Sequence, residues 1–271
     1  MDYKLPQRFE ISNKSTYGRV LNIAGSDYMS GAAYLSSVSA LKVGCGYCFL
    51  SSTQKCIDAV AAQTQNVVFV PLSNLNDYLT TVDVIEIGCG LSQDDNAINI
   101  FKNVLLNSNT ETPIIIDADG LNILANYKEF FLARGFRNVV ITPHPKEASR
   151  LLRVSVDEIL SDEEKYAKML ANEFKVTTVL KTNKTTVVGQ NGEIYKNTTG
   201  NNSMAKAGSG DVLTGMIAGF VAQGKSIYEA AVLAVYIHGL SGDIARDELT
   251  EYCVMASDLI DYIPKAIKRI N

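Results

Sequence analysis

The chain has 271 residues, of which 46% are hydrophobic and 20% are charged, with a formal net charge of −4 and a pI near 5.3. Proteins bind nucleic acid through basic surfaces, and the sequence contains no basic stripe, which argues against nucleic acid as a partner. No apolar run is long enough to span a bilayer, and residues 1–6 lack the apolar core of a signal peptide. We therefore expect a cytoplasmic protein with no membrane partner.

The length is within the range that one hydrophobic core can serve, so residues 1–271 are predicted to form a single domain. Short runs rich in β-branched residues alternate with segments of helical periodicity. This alternation predicts an α/β fold with a central, mostly parallel sheet. The predicted strands cover residues 19–24, 47–51, 66–70, 82–87, 113–117, 138–142 and 177–181, and the helices between them cover 31–42, 94–107, 146–152 and 162–174.

The pattern changes after residue 181. Two short strands are predicted to pair in antiparallel fashion, and three helices complete the chain. The strands cover 185–189 and 192–196, and the helices cover 211–223, 227–247 and 256–270.

Ligands of such sheets bind beyond the carboxyl ends of the strands, so the loops that follow the strands are expected to carry the chemistry. These loops are rich in small and polar residues. They read Gly25-Ser26-Asp27, Gly88-Cys89-Gly90, Asp117-Ala118-Asp119-Gly120, Pro143-His144-Pro145 and Thr182-Asn183-Lys184.

The most informative segment is Gly208-Ser209-Gly210-Asp211, where a polar stretch gives way to an apolar-periodic helix. Free amides at a helix start attract phosphate, and glycines let phosphate approach the backbone closely. A carboxylate beside a bound phosphate is unfavourable unless it has a role, such as deprotonating an attacking hydroxyl. Asp211 is therefore predicted to be a catalytic base. The alternative is that Asp211 is only an N-cap and the glycines only form a turn.

Other polar residues at strand ends allow two interpretations. His144, held between two prolines, is predicted to hydrogen-bond a substrate, although Pro-His-Pro can also be a stiff turn. Asp117 and Asp119 would project to one side of an extended segment and share Mg²⁺, or they would cap a helix that begins at Leu121. His238 lies in an apolar helix and is predicted to be a core histidine.

Residues 181–185 offer a cation and hydroxyls to the phosphate or ribose of a nucleotide, and Lys206 offers a second cation, although a lone lysine is more often solvated. Cys45 and Cys48 form a Cys-x-x-Cys motif that follows a helix instead of opening one, so redox or metal function is not expected. Five cysteines, an odd number, do not indicate a disulfide framework.

A series of motifs runs in one order across nearly the whole chain. They are Lys-x-x-Tyr-Gly at 14–18, Ala-Gly-Ser at 24–26, Gly-Ala-Ala at 31–33, Ile-Gly-x-Gly-Leu at 87–91, Asp-Ala-Asp-Gly-Leu-Asn at 117–122, Thr-Pro-His-Pro at 142–145 and Asn-x-Thr-Gly-Asn…Ala-Lys-x-Gly-x-Gly-Asp-x-Leu-Thr-Gly at 197–215. Together they resemble the ADP-dependent NAD(P)H-hydrate dehydratases of the ribokinase-like superfamily. The set is more specific than Gly-x-Gly-Asp alone, which all ribokinase-like kinases share.

The resemblance implies a ribokinase-like three-layer α/β/α fold with an antiparallel edge, and repair of a damaged cofactor. The family removes water from the S epimer of hydrated NADH or NADPH, with consumption of ADP and release of AMP and phosphate. Asp211 would take the proton of the C6 hydroxyl as that hydroxyl attacks the terminal phosphoryl group. Mg²⁺ and the amides of the Gly208–Asp211 turn would spread the developing charge, and the ring nitrogen would then expel phosphate.

The resemblance also implies roles for single residues. The family's contacts to the hydrated dinucleotide fall on Ala33, Gly90, His144 and Asp211, and its anion hole falls on Gly208, Ser209 and Gly210. Its contacts to ADP or AMP fall on Lys181, Thr182, Asn183, Lys184, Thr185 and Gly210. The family further implies a homo-oligomer, often a tetramer. The family's frequent fusion partner is an epimerase that interconverts the two hydrate forms and would precede Lys14. We expect this chain to lack it and to act on the S epimer alone.

The chain departs from the family's pattern at a few positions. Cys89 stands where the family usually has proline, and Lys146 and Thr182 stand where it usually has glycine. Ala207 and Ser209 replace a glycine and a threonine and are small enough to be tolerated. Thr182 adds a side chain to the nucleotide segment and is expected to alter donor affinity or choice.

Two other functions remain open at this stage. One is a kinase of the same superfamily that phosphorylates a vitamin-precursor alcohol, in which case the phosphorylated product would persist. The other is a nucleotide sensor that binds ADP without turnover, although a binder has little reason to keep Asp211 beside phosphate.

Overall fold

The computed structural model describes residues 4–270 of the chain. Its described strands, numbered along the chain, are β1 (Arg19–Ile23), β2 (Tyr47–Ser52), β3 (Val68–Pro71), β4 (Val84–Ile87), β5 (Ile114–Ile116), β6 (Val139–Ile141), β7 (Thr177–Leu180), β8 (Thr186–Val188) and β9 (Ile194–Lys196). They form one sheet in the order β3-β2-β1-β4-β5-β6-β7-β8-β9. The first seven strands are parallel, and β8 and β9 add an antiparallel edge. The predicted mostly parallel sheet with an antiparallel edge is confirmed.

The helices lie between and after the strands. They are α1 (Ser30–Lys42), α2 (Gln54–Ala61), α3 (Leu75–Tyr78), α4 (Asp95–Asn107), α5 (Ala118–Asn126), α6 (Lys128–Arg134), α7 (Pro145–Leu152), α8 (Val156–Ser161), α9 (Glu163–Phe174), α10 (Ser209–Ala222), α11 (Ile227–Leu249) and α12 (Ala256–Ile270). The sequence did not predict α2, α3, α6 and α8. Each has eight residues or fewer, which is too short for the helical period to repeat clearly.

The sheet is covered on both faces, because successive residues of a strand point to opposite sides. In β5, Ile115 belongs to the buried cluster that includes residues of α1, α10, α11 and α12, whereas Ile114 and Ile116 belong to the cluster that includes residues of α4 to α9. Phe101 of α4 and Phe220 of α10 are fully buried in these two layers. Full burial of side chains of this size stabilises the fold by about 2 kcal/mol each. The result is the three-layer α/β/α arrangement that the sequence predicts.

The strand order places β1 between β2 and β4, so the chain winds away from β1 in two directions. Ligands of open α/β sheets bind at such a switch point, in the crevice beyond the carboxyl ends of the strands. The loops after β1, β4, β5, β6 and β7 meet along this edge of the sheet. Gly25 after β1, for example, donates its amide hydrogen to the carbonyl of Cys89 after β4 at 2.8 Å.

Two predictions reach beyond the described residues. Met1, Asp2, Tyr3 and Asn271 lie outside what the structure describes. The predicted single domain, residues 1–271, and the predicted absence of a signal peptide, residues 1–6, both include some of these residues. The single domain remains a prediction. Within residues 4–270, no helix is both long and apolar enough to cross a membrane.

Candidate active site

The turn before α10 presents free backbone amides. Gly208 is the N-cap, with φ of 92° and no side-chain cap, and a Cβ there would lie 2.5 Å from Leu35 Cδ1. The amide of Ser209 donates to the Lys206 carbonyl at 3.3 Å, whereas the amides of Gly210 and Asp211 have no acceptor within the described chain. An unsatisfied helix start of this kind is an anion site. Because Gly208 is the N-cap, the alternative that Asp211 merely caps the helix is wrong.

Asp211 lies in the first turn of α10 and is largely buried. Burial, and after it the negative charge of Asp117, raises the pKa of Asp211 to about 6. A carboxylate with a pKa close to neutral is a stronger base than an exposed aspartate and is still ionised at pH 7. These are the properties that a base for an alcohol requires.

A buried ion pair between Lys181 and Asp117 lies next to the anion site. Lys181, just after β7, places Nζ 2.6 Å from Asp117 Oδ1, and Thr214 of α10 donates its hydroxyl to Asp117 Oδ2 at 2.7 Å. Burial alone would raise the pKa of Asp117, but Lys181 and these hydrogen bonds hold that pKa below its usual value. The same carboxylate raises the pKa of Lys181 against the opposing effect of burial. Both groups are therefore charged at neutral pH.

The ion pair lies directly behind the glycine turn. A Cβ on Gly210 would be 3.2 Å from Lys181 Nζ and 3.8 Å from Asp117 Oδ2. Glycine at this position therefore leaves the ammonium group of Lys181 open toward anything bound at the turn. The sequence predicted Lys181 as a nucleotide contact, and the structure adds Asp117 as the partner that fixes it.

Asp117 and Asp119 do not act as a pair. Ala118 has φ of 47° and opens α5, so the segment is not extended and the two side chains diverge. Asp119 accepts hydrogen bonds from the Ser92 amide at 2.9 Å and from Gln93 Nε2 at 2.8 Å. The hypothesis that both aspartates share Mg²⁺ is wrong for this reason. Asp117 is at the N-cap position of α5 but makes no capping bond.

A cavity of about 980 Å³ opens beside the glycine turn, and we call it the nucleotide cavity. It is lined by Gly210, by Ser209, by His144 and by all five residues of the segment 181–185. The side chain of Thr182 turns toward α9, where its hydroxyl donates to Glu163 Oε2 at 2.9 Å. The structure therefore brings together every residue that the resemblance assigned to the nucleotide.

His144 is the N-cap of α7 and shares a capping box with Glu147. Its Nδ1 accepts from the amides of Lys146 and Glu147, and its Nε2 lies 3.4 Å from Glu147 Oε1. Burial lowers the pKa of His144, and burial raises the pKa of Glu147 to about 7. A neutral imidazole that accepts at Nδ1 carries its proton on Nε2. Glu147 is not predicted from the sequence, because the capping-box signature begins with Ser, Thr, Asp or Asn and histidine is not part of it.

The turn Gly88–Gly90 approaches the start of α1 closely. Gly90 has φ of 63°, and a Cβ there would lie 2.9 Å from the Cβ atoms of Ala32 and Met29. Cys89 is fully buried, with Sγ 3.8 Å from Glu86 Oε1 and 3.9 Å from Asp117 Oδ2. Burial raises the pKa of the Cys89 thiol well above its usual value, so this thiol is neutral.

Glu86 of β4 is a second residue that the sequence analysis missed. It is fully buried, and burial, followed by the charges of Asp117 and Asp211, raises its pKa well above the usual value. Glu86 pairs in register with Asn22 of β1, and Glu86 Oε2 and Asn22 Oδ1 both lack a hydrogen-bond partner among the described residues. A protonated Glu86 carries a hydrogen-bond donor, and we infer that it donates to Asn22 Oδ1 on the neighbouring strand. The signal was visible as a lone glutamate in an apolar strand.

The remaining candidates are placed as follows. His238 is buried, as predicted, but its Nε2 is also 3.5 Å from Ser209 Oγ, and burial lowers its pKa to about 4. Lys206 Nζ donates to the Tyr252 carbonyl at 2.6 Å. The side chain is therefore directed away from the anion site at the glycine turn. Cys45 and Cys48 are buried free thiols. Ala33 is fully buried near the start of α1.

The carboxylates at the turn fit a magnesium ion that arrives with a nucleotide. Mg²⁺ prefers oxygen ligands and is usually held by one or two carboxylates and by nucleotide phosphates. Oxygens of Asp117 and Asp211 and the sulfur of Cys89 lie within 4.8 Å of one another. Asp117 already accepts bonds from Lys181 and Thr214, so Asp211 is the carboxylate with free capacity, and the thiol is too soft a ligand for Mg²⁺.

A second cavity, of about 640 Å³, lies on the other side of the Gly88–Gly90 turn. It is formed at the carboxyl ends of β1, β2 and β4 and by the start of α4. We call it the β1–β4 cavity. Cys89 lies beside the carboxylates of Asp117 and Asp211, and Leu91, two residues further on, lines the β1–β4 cavity. The Gly88–Gly90 turn therefore connects the surroundings of Asp211 with this cavity.

Comparisons with known proteins agree with this geometry. A family model described as NAD(P)H-hydrate dehydratase matches residues 20–265. The ADP-dependent (S)-NAD(P)H-hydrate dehydratase of Neisseria meningitidis is 36% identical over 242 residues, which cover 89% of this chain and 81% of that protein. Other matched relatives are bifunctional NAD(P)H-hydrate repair enzymes, and the chain spans about half of their length, 52% and 53% in two cases.

Two solved structures are similar over nearly the whole chain. The ADP/ATP-dependent NAD(P)H-hydrate dehydratase of Bacillus subtilis, crystallised with ATP and Mg²⁺, has a TM-score of 0.86 at 30% identity and covers 98% of this chain and 95% of its own. A ribokinase-like superfamily protein of Enterococcus faecalis has a TM-score of 0.87 at 32% identity, with coverages of 98% and 92%. The predicted ribokinase-like fold is thus confirmed, and the chain belongs to the NAD(P)H-hydrate dehydratase family.

Proposed function

We propose that this protein dehydrates the S epimer of hydrated NADH or NADPH with consumption of ADP, and so restores the reduced cofactor. Family membership supports the reaction class. The observation that carries the mechanism is the position of Asp211, a buried carboxylate with a pKa raised to about 6, next to free amides at a glycine turn.

The first step is phosphoryl transfer. Asp211 takes the proton of the C6 hydroxyl while that oxygen attacks the terminal phosphorus of ADP and AMP leaves. The amides of Gly210 and Asp211 donate to the phosphoryl oxygens, and the Lys181 ammonium adds a fixed positive charge behind them. Mg²⁺ bound with the nucleotide would supply further positive charge to the phosphates.

The second step is elimination. The C6–O bond breaks as the ring nitrogen donates its electron pair, and the phosphate leaves with the original oxygen. The C5 proton then passes to water, and its C–H electron pair restores the C5–C6 double bond. Phosphate is a far better leaving group than hydroxide, so this step requires no strong acid from the protein. We further infer that a neutral His144, which lines the nucleotide cavity, contacts the bound dinucleotide through Nε2, with Glu147 Oε1 holding the ring at 3.4 Å.

We assign the site as follows. ADP contacts Gly210 and the segment 181–185, and the dinucleotide contacts Ala33, Gly90, His144 and Asp211. The residues assigned to ADP and His144 line the nucleotide cavity. Asp211 lies beside Cys89 of the Gly88–Gly90 turn, which leads to the β1–β4 cavity. The side chain of Thr182 bonds to Glu163 and so does not fill the nucleotide cavity, which supports normal donor binding despite the departure from glycine.

The test is to supply hydrated NADH with ADP and Mg²⁺ and to follow the near-ultraviolet absorbance of reduced nicotinamide together with AMP. Recovery of absorbance with one AMP released per NADH supports the dehydratase. A stable phosphorylated product without recovery of absorbance would indicate the alternative kinase. Binding of ADP without AMP release would indicate a sensor, and unchanged turnover in Asp211→Asn would refute Asp211 as the base.

We also propose that the protein is a homo-oligomer, with a tetramer as the expected state, and that residues 1–271 form one domain. The family resemblance supports both statements. Light scattering coupled to size-exclusion chromatography measures the mass of the assembly, and a monomer would refute the first. A single cooperative unfolding transition supports one domain, whereas two separable transitions would contradict it.

A further inference from the structure

The β1–β4 cavity is separate from the nucleotide cavity but shares the same catalytic edge of the sheet. The Gly88–Gly90 turn divides the two, and Cys89 in that turn lies beside the carboxylates of Asp117 and Asp211. Leu91 and Ser92, which follow directly, line the β1–β4 cavity. Because consecutive Cα atoms are only about 3.8 Å apart, Leu91 and Ser92 lie close to Cys89 along the chain. Cys89 is in turn close to Asp211, so this cavity begins near Asp211.

The β1–β4 cavity has the features of a ligand site. It is at the switch point between β1 and β4, where ligands of open α/β sheets bind. Ser51, at the end of β2, lines the cavity and is fully buried, yet its hydroxyl has no hydrogen-bond partner among the described residues. A buried hydroxyl without a partner is costly unless something bound supplies one. Tyr28 at the rim is 91% exposed and offers a large aromatic surface.

The charge of this cavity is unusual for a site that binds phosphorylated ligands. Two carboxylates, Asp27 and Asp94, line it, and none of its described lining residues is lysine, arginine or histidine. The amide of Ala97 and the hydroxyl of Ser92 donate to Asp94 and lower its pKa, so Asp94 is ionised at neutral pH. Lys55 lies outside the lining, with its ammonium 4.4 Å from the centre of the Tyr28 ring.

NADPH differs from NADH by a 2′-phosphate on the adenosine ribose. Sites that accept this phosphate commonly provide arginine, whereas sites that select NADH place a carboxylate against the free 2′-hydroxyl. Like charges brought together at a binding interface repel each other, and the effect is modest here because Asp27 and Asp94 are exposed to solvent. A cavity with two carboxylates and no lining cation therefore favours the dinucleotide without the extra phosphate.

We propose that the β1–β4 cavity binds the adenosine half of the hydrated dinucleotide, and that Asp27 and Asp94 make hydrated NADH the preferred substrate over hydrated NADPH. This inference rests on the proposed dehydratase function. It adds to that function a location for the second half of the substrate and a choice between its two forms.

The specificity is tested by measuring kcat/KM for both hydrates at saturating ADP. Wild-type protein is expected to prefer hydrated NADH on the order of tenfold. Asp27→Asn and Asp94→Asn each remove a charge without changing side-chain size, and asparagine can still cap α4 at position 94. The double variant is expected to reduce the preference several-fold, chiefly by lowering KM for hydrated NADPH. Asp157→Asn, an exposed aspartate on α8, is the matched control and is expected to leave the ratio unchanged.

The location is tested by Asn99→Trp, which fills the β1–β4 cavity from an exposed position on α4. KM for hydrated NADH is expected to rise several-fold, while KM for ADP stays the same because the nucleotide cavity is untouched. An equal rise in both KM values, or no change in either, would overturn the location. Equal kcat/KM for the two hydrates, unaffected by the double variant, would overturn the specificity.

Failure of this inference can be separated from failure of the proposed function. If neither hydrate is turned over, the dehydratase assignment fails, and calorimetric titration with NAD⁺ and NADP⁺ still decides the inference. Weaker binding of NADP⁺ that the double variant relieves supports the cavity assignment. Equal affinity for both, in wild type and variant alike, contradicts it. Rapid turnover of both hydrates at equal kcat/KM would leave the dehydratase function intact and refute only the specificity.

Discussion

Replacing Asp211 with asparagine is expected to make the protein more stable and catalytically inactive. The carboxylate is held in a buried place where its ionised form is unfavourable, and asparagine occupies the same volume without a charge. Base catalysis by a positioned carboxylate contributes about 10²–10⁴ in rate, so turnover should fall by that order. A residue that had only a structural role would not combine a loss of activity with a gain in stability.

The size of the stability gain follows from the pKa. The pKa of Asp211 rises from 3.8 to about 6 on folding, a difference of about two pH units. Each unit corresponds to about 1.36 kcal/mol, which gives about 3 kcal/mol. Asp211 keeps some contact with solvent, which lowers the expected gain to about 2 kcal/mol.

The pH dependence has a definite sign. Because the folded pKa is raised, the folded protein holds the proton more tightly than the unfolded chain does. The carboxyl group therefore favours folding at low pH relative to high pH, and this contribution is lost as the pH rises through about 6. Asparagine does not titrate. The gain in Asp211→Asn is thus expected to be near zero at about pH 4 and complete at about pH 8.

Urea denaturation of wild type and Asp211→Asn at both pH values measures this directly, since other titrating groups are common to the two proteins and cancel. A gain of about 2 kcal/mol at the higher pH that vanishes at the lower pH supports the reasoning. An asparagine variant that is no more stable than wild type at the higher pH would refute the claim that Asp211 is buried as a poised base.

Three further outcomes are expected. Lys181→Met leaves Asp117 as an unpaired buried charge and should destabilise the protein by about 3–5 kcal/mol, measured by denaturation, and a loss below about 1 kcal/mol would contradict the buried pair. Gly90→Ala places a Cβ at a positive φ and 2.9 Å from two neighbouring atoms. It should lower the free energy of unfolding by about 1–3 kcal/mol, measured by denaturation, and raise KM for the hydrate. Unchanged stability would show that the turn can relax. Glu86→Gln keeps a neutral donor toward Asn22 and should alter stability by less than about 1 kcal/mol. Glu86→Leu leaves Asn22 Oδ1 unsatisfied and should cost about 2 kcal/mol more than Glu86→Gln. Equal stability of the two variants would refute the hydrogen bond.

The sequence predicted the sheet because its central strands are continuous apolar runs. Residues such as Ile114–Ile116 are buried on both faces, and this environment leaves an unambiguous pattern. The short helices α2 and α3 were not predicted because one or two turns provide too few periodic positions. The glycine turn at Gly208 was predicted because glycine and a following apolar helix are local signals.

The side-chain partners in the site could not be predicted in the same way. The pairing of Asp117 with Lys181 joins residues 64 positions apart, and only the strand order brings them together. Asp119 was wrongly grouped with Asp117 because the sequence does not show that Ala118 adopts a positive φ and begins a helix. The pattern does not single out Glu86 because the other residues of its strand are apolar, although a lone acid in a buried strand is informative on physical grounds.

The central claim is that the C6 hydroxyl is phosphorylated before it leaves, with Asp211 as the base. Hydrated NADH labelled with oxygen-18 at the C6 hydroxyl tests this claim most directly, because the label reports which bonds break. After turnover with ADP, the account predicts that the label is found in inorganic phosphate and in neither water nor AMP. Label recovered in water would mean that the hydroxyl leaves without phosphorylation, and the account would be contradicted.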